Sequence, residues 1–254
     1  MAEHLKCQIL DTLLTSATAS EAVAFLCDSL VGIADTKKDY NQEIRNRQET
    51  CRGAYICYAT VNTVMYARER EDYRNILNNA VMTFPGSRQL ITEMHTQGYP
   101  KAERIDIIDF MKQVFSRTKT EKIRHFFYGS TKEALEKLTA GLMEEYPGIS
   151  IAGTYAPPFG ACTEDEDAKA VEMIQKSNAD IIWVGLGMPM QEEWLHAHKG
   201  LFEGVMIGCG YGIDVLAGME KQPPEWMKKC SLDWVYRMLR EPKRLLRKYL
   251  SLNL

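Results

Sequence analysis

The sequence predicts an α/β protein: a mostly parallel, Rossmann-like sheet with flanking helices, followed by a basic C-terminal helical appendage. Three observations carry this prediction. Short apolar runs recur along the chain without polar alternation, as strands buried on both faces do. Between them lie helical stretches, two of which open with a Ser/Thr-x-x-Glu box. The last 34 residues concentrate basic charge.

In chain order, Ser20–Leu30 is predicted to be helical, because Ala22, Val23, Leu26 and Leu30 then share one face. The polar stretch 35–53 reads as a loop or an irregular helix. Strands are predicted at Ala54–Ala59, Ile123–Tyr128, Ile149–Gly153, Asp180–Gly185 and Gly204–Gly208. Ser130-Thr-Lys-Glu133 opens a helix that runs to Tyr146, where Pro147-Gly148 ends it; Thr163-Glu-Asp-Glu166 opens another. Tyr155–Cys162, with Pro157, Pro158 and Gly160, reads as a mobile loop. Strands regularly alternating with helices imply a parallel sheet, and there is no internal repeat.

Composition narrows the function classes. At 254 residues, 45% hydrophobic and 26% charged, the chain is neither disordered nor fibrous. A net charge of -3 gives no reason to expect nucleic acid as a partner. The charge is uneven, however: residues 221–254 hold nine Lys/Arg and three Asp/Glu, so they are basic while the preceding chain is acidic. This divides the chain into a core, 1–220, and an appendage, 221–254, which is where an anionic partner should bind. Seven scattered cysteines without a CxxC pair suit a reducing compartment. No secretion signal and no apolar run of about 18 residues is visible, so a cytoplasmic protein with at most peripheral membrane contact is expected.

In an open parallel sheet, ligands bind beyond the carboxyl ends of the strands, where helix N-termini offer unpaired N–H groups. Thr60 and Asn62, Gly129-Ser130, Gly187 to Glu192 and Gly208 to Asp214 follow predicted strands. Gly129-Ser130 reads equally as a phosphate cradle or as an ordinary strand-to-helix turn. Gly185-Leu-Gly187 and Gly208-Cys-Gly210-Tyr-Gly212 lack the full GxGxxG spacing, and no GxxxxGK[ST] occurs, which argues against NAD enzymes and P-loop NTPases. Asp165-Glu-Asp167 matches a metal-binding DxD, but it lies in a predicted acidic first turn where the helix dipole already accounts for it. His196 and His198 diverge on a helix, so a solvated pair is expected rather than a metal site. Trp226, Trp234, Tyr236 and Leu239 with Arg237, Arg240, Arg244 and Arg247 form an aromatic-basic segment suited to a diphosphate or an anionic lipid surface; the plainer reading is a docked terminal helix with a charged face.

Four ordered stretches are more specific. They are Ala59-Thr60-Val-Asn62-Thr-Val-Met65, Val184-Gly-Leu-Gly187-Met-Pro189-Met-Gln191-Glu192-Glu-Trp194, Gly208-Cys-Gly-Tyr-Gly212-Ile-Asp214-Val-Leu-Ala-Gly218, and Leu232-Asp-Trp234-Val-Tyr-Arg237-Met-Leu-Arg-Glu241-Pro242-Lys-Arg244. In order and spacing the chain resembles the WecG/TagA/CpsF glycosyltransferases, family 26, over nearly its whole length. The resemblance implies an inverting transferase that needs no metal or other cofactor. It moves a sugar, often N-acetylmannosamine or its uronic acid, from a UDP-sugar donor to a polyprenyl-diphosphate-linked saccharide. Such enzymes serve cell-surface polysaccharide synthesis, including teichoic acid, at the inner leaflet, and they often self-associate. Carried over by position, Thr60, Asn62 and Arg104 line the reaction centre, Gly129, Gln191 and Gly210 hold the donor, and Asp214 reads the uracil. Arg237, Arg244 and Arg247 match a basic tail that closes over the site and meets the membrane.

One departure bears on catalysis. After Leu77-Asn-Asn79 the family reads Pro-Asp-Gly, whose Asp is its proposed general base, whereas this chain reads Thr83-Phe-Pro85-Gly86-Ser87-Arg88. No carboxylate falls at the corresponding place, near Gly86. General-base assistance is worth about 10²–10⁴-fold in rate. Three expectations follow: another residue acts as base, the donor or acceptor differs, or the protein binds UDP-sugar or lipid as a non-catalytic partner. Met190 and Gln222 also replace basic residues of the family pattern.

Overall fold

The computed structural model describes residues 6–34, 46, 49–158, 163–222, 224 and 227. Six strands, β3 (Tyr55–Ala59), β4 (Met82–Pro85), β5 (Arg124–Gly129), β6 (Ser150–Tyr155), β7 (Ile181–Gly185) and β8 (Val205–Gly208), form one sheet in the order β4-β3-β8-β7-β5-β6, every neighbouring pair parallel. The α/β class, with a parallel sheet flanked by helices, is as read from the sequence. All five predicted strands are present within two residues, and the first helix, α1, extends over Ala19–Ala34.

Successive side chains of a strand point to opposite faces, and here both faces are covered. Ile56, Phe127, Trp183 and Ile207 pack on one side against α1, α5 (Ile107–Thr118), α6 (Lys132–Glu145) and α9 (Gly212–Leu216), through Leu26, Phe110, Leu138 and Ile213 among others. Tyr55, Phe126, Ile182 and Met206 face the other way, onto α3 (Glu71–Asn78), α7 (Glu164–Ser177) and α8 (Met190–Ala197), through Leu77, Ile174 and Trp194. Each such apolar side chain contributes about 1.5–3 kcal/mol on burial. The double covering explains why these strands read as unbroken apolar runs.

Polar side chains are buried in this core as well, among them a histidine. His125 on β5 is 0% exposed; its Nδ1 accepts from the Trp183 indole N–H at 3.1 Å, and its Nε2 meets the Thr118 hydroxyl at 2.9 Å. Burial pushes its pKa down to about 3, so the ring is neutral at ordinary pH.

A separate antiparallel hairpin, β1 (Lys6–Ile9) and β2 (Thr12–Thr15), was not predicted and shields the β4 edge of the sheet. Thr15 Oγ1 accepts from the Thr83 N–H at 3.0 Å, and Lys6 Nζ donates to Ala80 O at 3.1 Å. Side chains therefore satisfy an edge that would otherwise be open to pairing. Cys7, Leu14, Ala59, Val64 and Leu90 form a small core beneath it, with α2 (Val61–Glu69) and α4 (Arg88–Thr96).

α6 follows β5 onto the first face of the sheet, whereas α8 follows β7 onto the second. Because β5 and β7 are neighbours, their carboxyl ends flank the crevice at which the winding reverses. One local expectation is corrected here: Thr131, not Ser130, caps α6, its hydroxyl accepting from the Ala134 N–H at 3.1 Å. The Thr163/Glu166 capping box on α7 forms as predicted. Residues 159–162 of the predicted mobile loop, most of 35–53, and nearly all of the appendage, including Arg237, Arg244 and Arg247, lie outside the described residues.

Candidate functional site

At the strand tips three glycines stand where the packing leaves no room for a side chain. A Cβ on Gly129 (φ +114) would lie 2.4 Å from Gly185 O, one on Gly185 would lie 2.9 Å from Gly210 O, and one on Gly208 would lie 2.5 Å from Gln191 Nε2. The ends of β5 and β7 thus meet backbone to backbone, the β7 end also abuts the segment after β8, and the β8 end packs against the Gln191 side chain.

Gln191, 3% exposed near the start of α8, ties this region together. Its Oε1 accepts from the Gly210 N–H at 2.7 Å, and its Nε2 donates to Glu192 Oε1 at 2.9 Å. Glu192 is itself buried beneath the site, at 2% exposure. Burial first, and Glu192 second, raise the pKa of both Tyr73 and Cys57. Across the crevice, the Ser130 hydroxyl donates to Asp214 Oδ1. Ser130 holds this place with a φ of +58, and its own N–H reaches Gly185 O at 3.3 Å.

The tips of β3 and β4 carry the second half of the site, beside β8. Thr60 caps α2 through a reciprocal box with Thr63: the Thr63 N–H donates to Thr60 Oγ1, and the Thr60 N–H donates to Thr63 Oγ1 at 3.0 Å. Asn62 follows in the first turn, half-buried. The Ile105 N–H donates to Pro85 O at 3.0 Å, which brings Arg104 to the end of β4. The Arg104 guanidinium pairs with Asp106 Oδ2 at 3.1 Å, while Asp106 Oδ1 caps α5 by accepting from Ile108 and Asp109 N–H groups. Gly86 is buried here, its N–H donating to Ala59 O at 2.8 Å.

The structure therefore brings Thr60, Asn62, Arg104, Gly129, Gln191, Gly210 and Asp214 to one end of one sheet. It also shows neighbours that were not among the predicted site residues. Tyr58, Asp106, Ser130 and Glu192 all touch predicted site residues or Gly86. Glu192 and Ser130 stand inside motifs that had been singled out; Tyr58 and Asp106 carry no local signal, because their contacts are made across the sheet tip.

The two metal-like patterns have structural employment instead. Asp167 Oδ1 accepts from the Trp194 indole N–H at 2.7 Å and its Oδ2 meets His198 Nε2 at 3.0 Å, so this carboxylate is spent on packing α7 against α8. His196 Nδ1 bonds the Tyr55 hydroxyl at 2.9 Å, so the two histidines do diverge, but they are not the solvated pair that was expected: His198 is buried. Among the described residues, no three His, Cys, Asp or Glu side chains converge as a metal site. Cys7, Cys27, Cys51, Cys57 and Cys209 are buried free thiols.

The chain is similar in sequence to known proteins. The chain is 31% identical over 192 residues to an N-acetylglucosaminyldiphosphoundecaprenol N-acetyl-beta-D-mannosaminyltransferase of Staphylococcus aureus strain MW2, covering 75% of this chain and 74% of the relative. The same identity and coverage hold for the protein of that name from strain NCTC 8325 / PS 47. The model of the glycosyl transferase WecG/TagA/CpsF family matches residues 30–254, and the chain belongs to that family.

Proposed function

We propose that this protein transfers an N-acetylmannosamine-type sugar from UDP to a polyprenyl-diphosphate-linked saccharide, with inversion and without a metal, in cell-surface polysaccharide synthesis. The observation that carries the proposal is the convergence of Gly129, Gly185 and Gly208 at the winding reversal, with Gln191 bonded to Gly210 and Asp214 to Ser130 beside them. The carboxyl ends of strands at a winding reversal are where an open α/β sheet takes a nucleotide diphosphate. The relatives are named for adding N-acetylmannosamine to a GlcNAc-diphosphoundecaprenol, which supports the same donor sugar and acceptor class.

In a single displacement the acceptor hydroxyl oxygen attacks the anomeric carbon as the bond to the UDP oxygen breaks. The proton leaves with a base and the negative charge develops on the departing diphosphate. Arg104, held by Asp106, is suited to bear that charge, as are Arg237, Arg244 and Arg247 of the basic tail. Among the described residues no helix is long and apolar enough to cross a membrane. Peripheral contact through the tail, on the cytoplasmic face, is the arrangement we propose for a lipid-linked acceptor. Self-association is part of the same proposal.

Radiolabelled transfer with a panel of UDP-sugars and a lipid-diphosphate acceptor tests the reading; no product with any pair defeats it. One observation favours a second reading, a non-catalytic UDP-sugar or lipid-binding partner: Gly86 offers no carboxylate, and the Tyr58 ring fills the space beside it. That reading expects UDP binding by calorimetry without turnover.

A further inference from the structure

The hydroxyl of Ser130 is not needed by the helix it precedes. Thr131 caps α6, so a serine one residue earlier contributes nothing to that helix end. Yet Ser130 is held at φ +58, in the left-handed region that side-chain-bearing residues avoid and that glycine adopts freely. What it gains there is a hydrogen bond across the crevice to Asp214 Oδ1.

Asp214 is fixed from behind. Gly212 allows close packing, since a Cβ there would lie 2.8 Å from Met111 Sδ, and the following Ile213 is fully buried. With the backbone of α9 pinned, the remaining freedom of the carboxylate is rotation of its own side chain, and the Ser130 hydroxyl removes that. Among the described residues no other hydrogen bond reaches this carboxylate.

We infer that Ser130 is a positioning residue for nucleobase selection: it orients Asp214 so that Oδ2 meets the N3–H of a uracil. The inference rests on the proposal that the donor is a uridine nucleotide read by Asp214. A carboxylate accepts from uracil N3–H, whereas cytosine presents a lone pair at N3 and is repelled. Orientation therefore converts directly into preference for UDP over CDP.

The test is calorimetric titration of the full chain and of S130A, S130G and D214N with UDP and with CDP. Expected is a UDP affinity about tenfold weaker in both serine variants, the scale of one misdirected hydrogen bond to a charged group, with the UDP:CDP ratio falling towards one, as it also does in D214N. Melting temperatures serve as the control: S130G should melt above S130A, because glycine relieves the left-handed strain that alanine keeps, while the two lose selectivity alike. If both serine variants keep the wild-type ratio while D214N loses it, the inference is overturned and the reading of Asp214 stands. If the serine variants lose the ratio and D214N keeps it, the route through Asp214 is wrong. If all three keep it, Asp214 does not read the base, and the inference falls with that reading.

Discussion

Tyr58 occupies the space that a side chain on residue 86 would require. A Cβ built on Gly86 would lie 2.1 Å from Tyr58 Cζ, and the Tyr58 hydroxyl donates to Gly86 O at 3.3 Å. The missing carboxylate is therefore not a simple vacancy that one substitution refills. Gly86→Asp is expected to destabilise the protein by about 1–3 kcal/mol through overpacking, without raising transfer. Tyr58→Ala combined with Gly86→Asp should recover stability relative to the single variant and show whatever catalysis an acid at 86 confers. Thermal melts and transfer assays on the three variants check this; a Gly86→Asp protein as stable as the wild type would contradict it.

Gln191→Ala should weaken donor binding and cost about 1–3 kcal/mol of stability, because the Gly210 N–H and Glu192 Oε1 each lose a partner in a buried setting. Gln191→Glu keeps an acceptor for Gly210 but sets a second carboxyl against Glu192. Its donor affinity and melting temperature should therefore be more sensitive to raised pH than those of Gln191→Ala. Identical pH profiles for the two variants would count against the account.

Much of this site was legible in the sequence, and the reason is geometric. β5, β7 and β8 are covered on both faces, so they read as apolar runs ending in glycine, and the polar residues after them are the strand tips. The hairpin was not legible. Its two-residue turn is Leu10-Asp11, with φ of +46 and +62, where glycine or asparagine usually marks such a turn. β4 is four residues long, ends in Pro85, and gave too short a run to stand out. Ser130 was misread because it alone has the Glu three residues on that a capping box requires, whereas Thr131, followed by Ala134, caps with its hydroxyl only, and the backbone decides between them.

Asp106 serves both a helix end and Arg104, and the two roles separate by substitution. Asp106→Asn retains an oxygen for the Ile108 and Asp109 N–H groups but no charge for the guanidinium. It should keep near-native stability and lose transfer activity, whereas Asp106→Ala should in addition lose about 1 kcal/mol. Melts and steady-state kinetics distinguish them.

His125 gives the fold an acid sensitivity. Burial holds its folded-state pKa at about 3, below the 6.5 of an exposed imidazole, so the unfolded chain binds the extra proton first. The stabilisation is fully present above pH 6.5 and is lost as pH falls from there towards 3, by up to about 1.4 kcal/mol per pH unit. Urea unfolding at steps from pH 7.5 to 5 should show the decline, with the ring of His125 still neutral by NMR in the folded protein at pH 5. A ring that titrates near 6.5 in the folded state would refute the assignment.

For the basic tail, Arg244→Ala with Arg247→Ala should reduce association with anionic liposomes and slow turnover, leaving the melting temperature unchanged. Unaltered binding and turnover would remove the tail from the proposed mechanism.

The glycines at 129, 185 and 208 have a consequence for how this cleft can diversify. Where a single methyl collides with a neighbouring carbonyl or amide, the floor beneath the proposed nucleotide-sugar is closed to revision by point substitution. New sugar or nucleotide preferences must then arise from the rim, at residues such as Ser130, Tyr58 and Asp214, while the polypeptide backbone underneath stays fixed from one variant to the next.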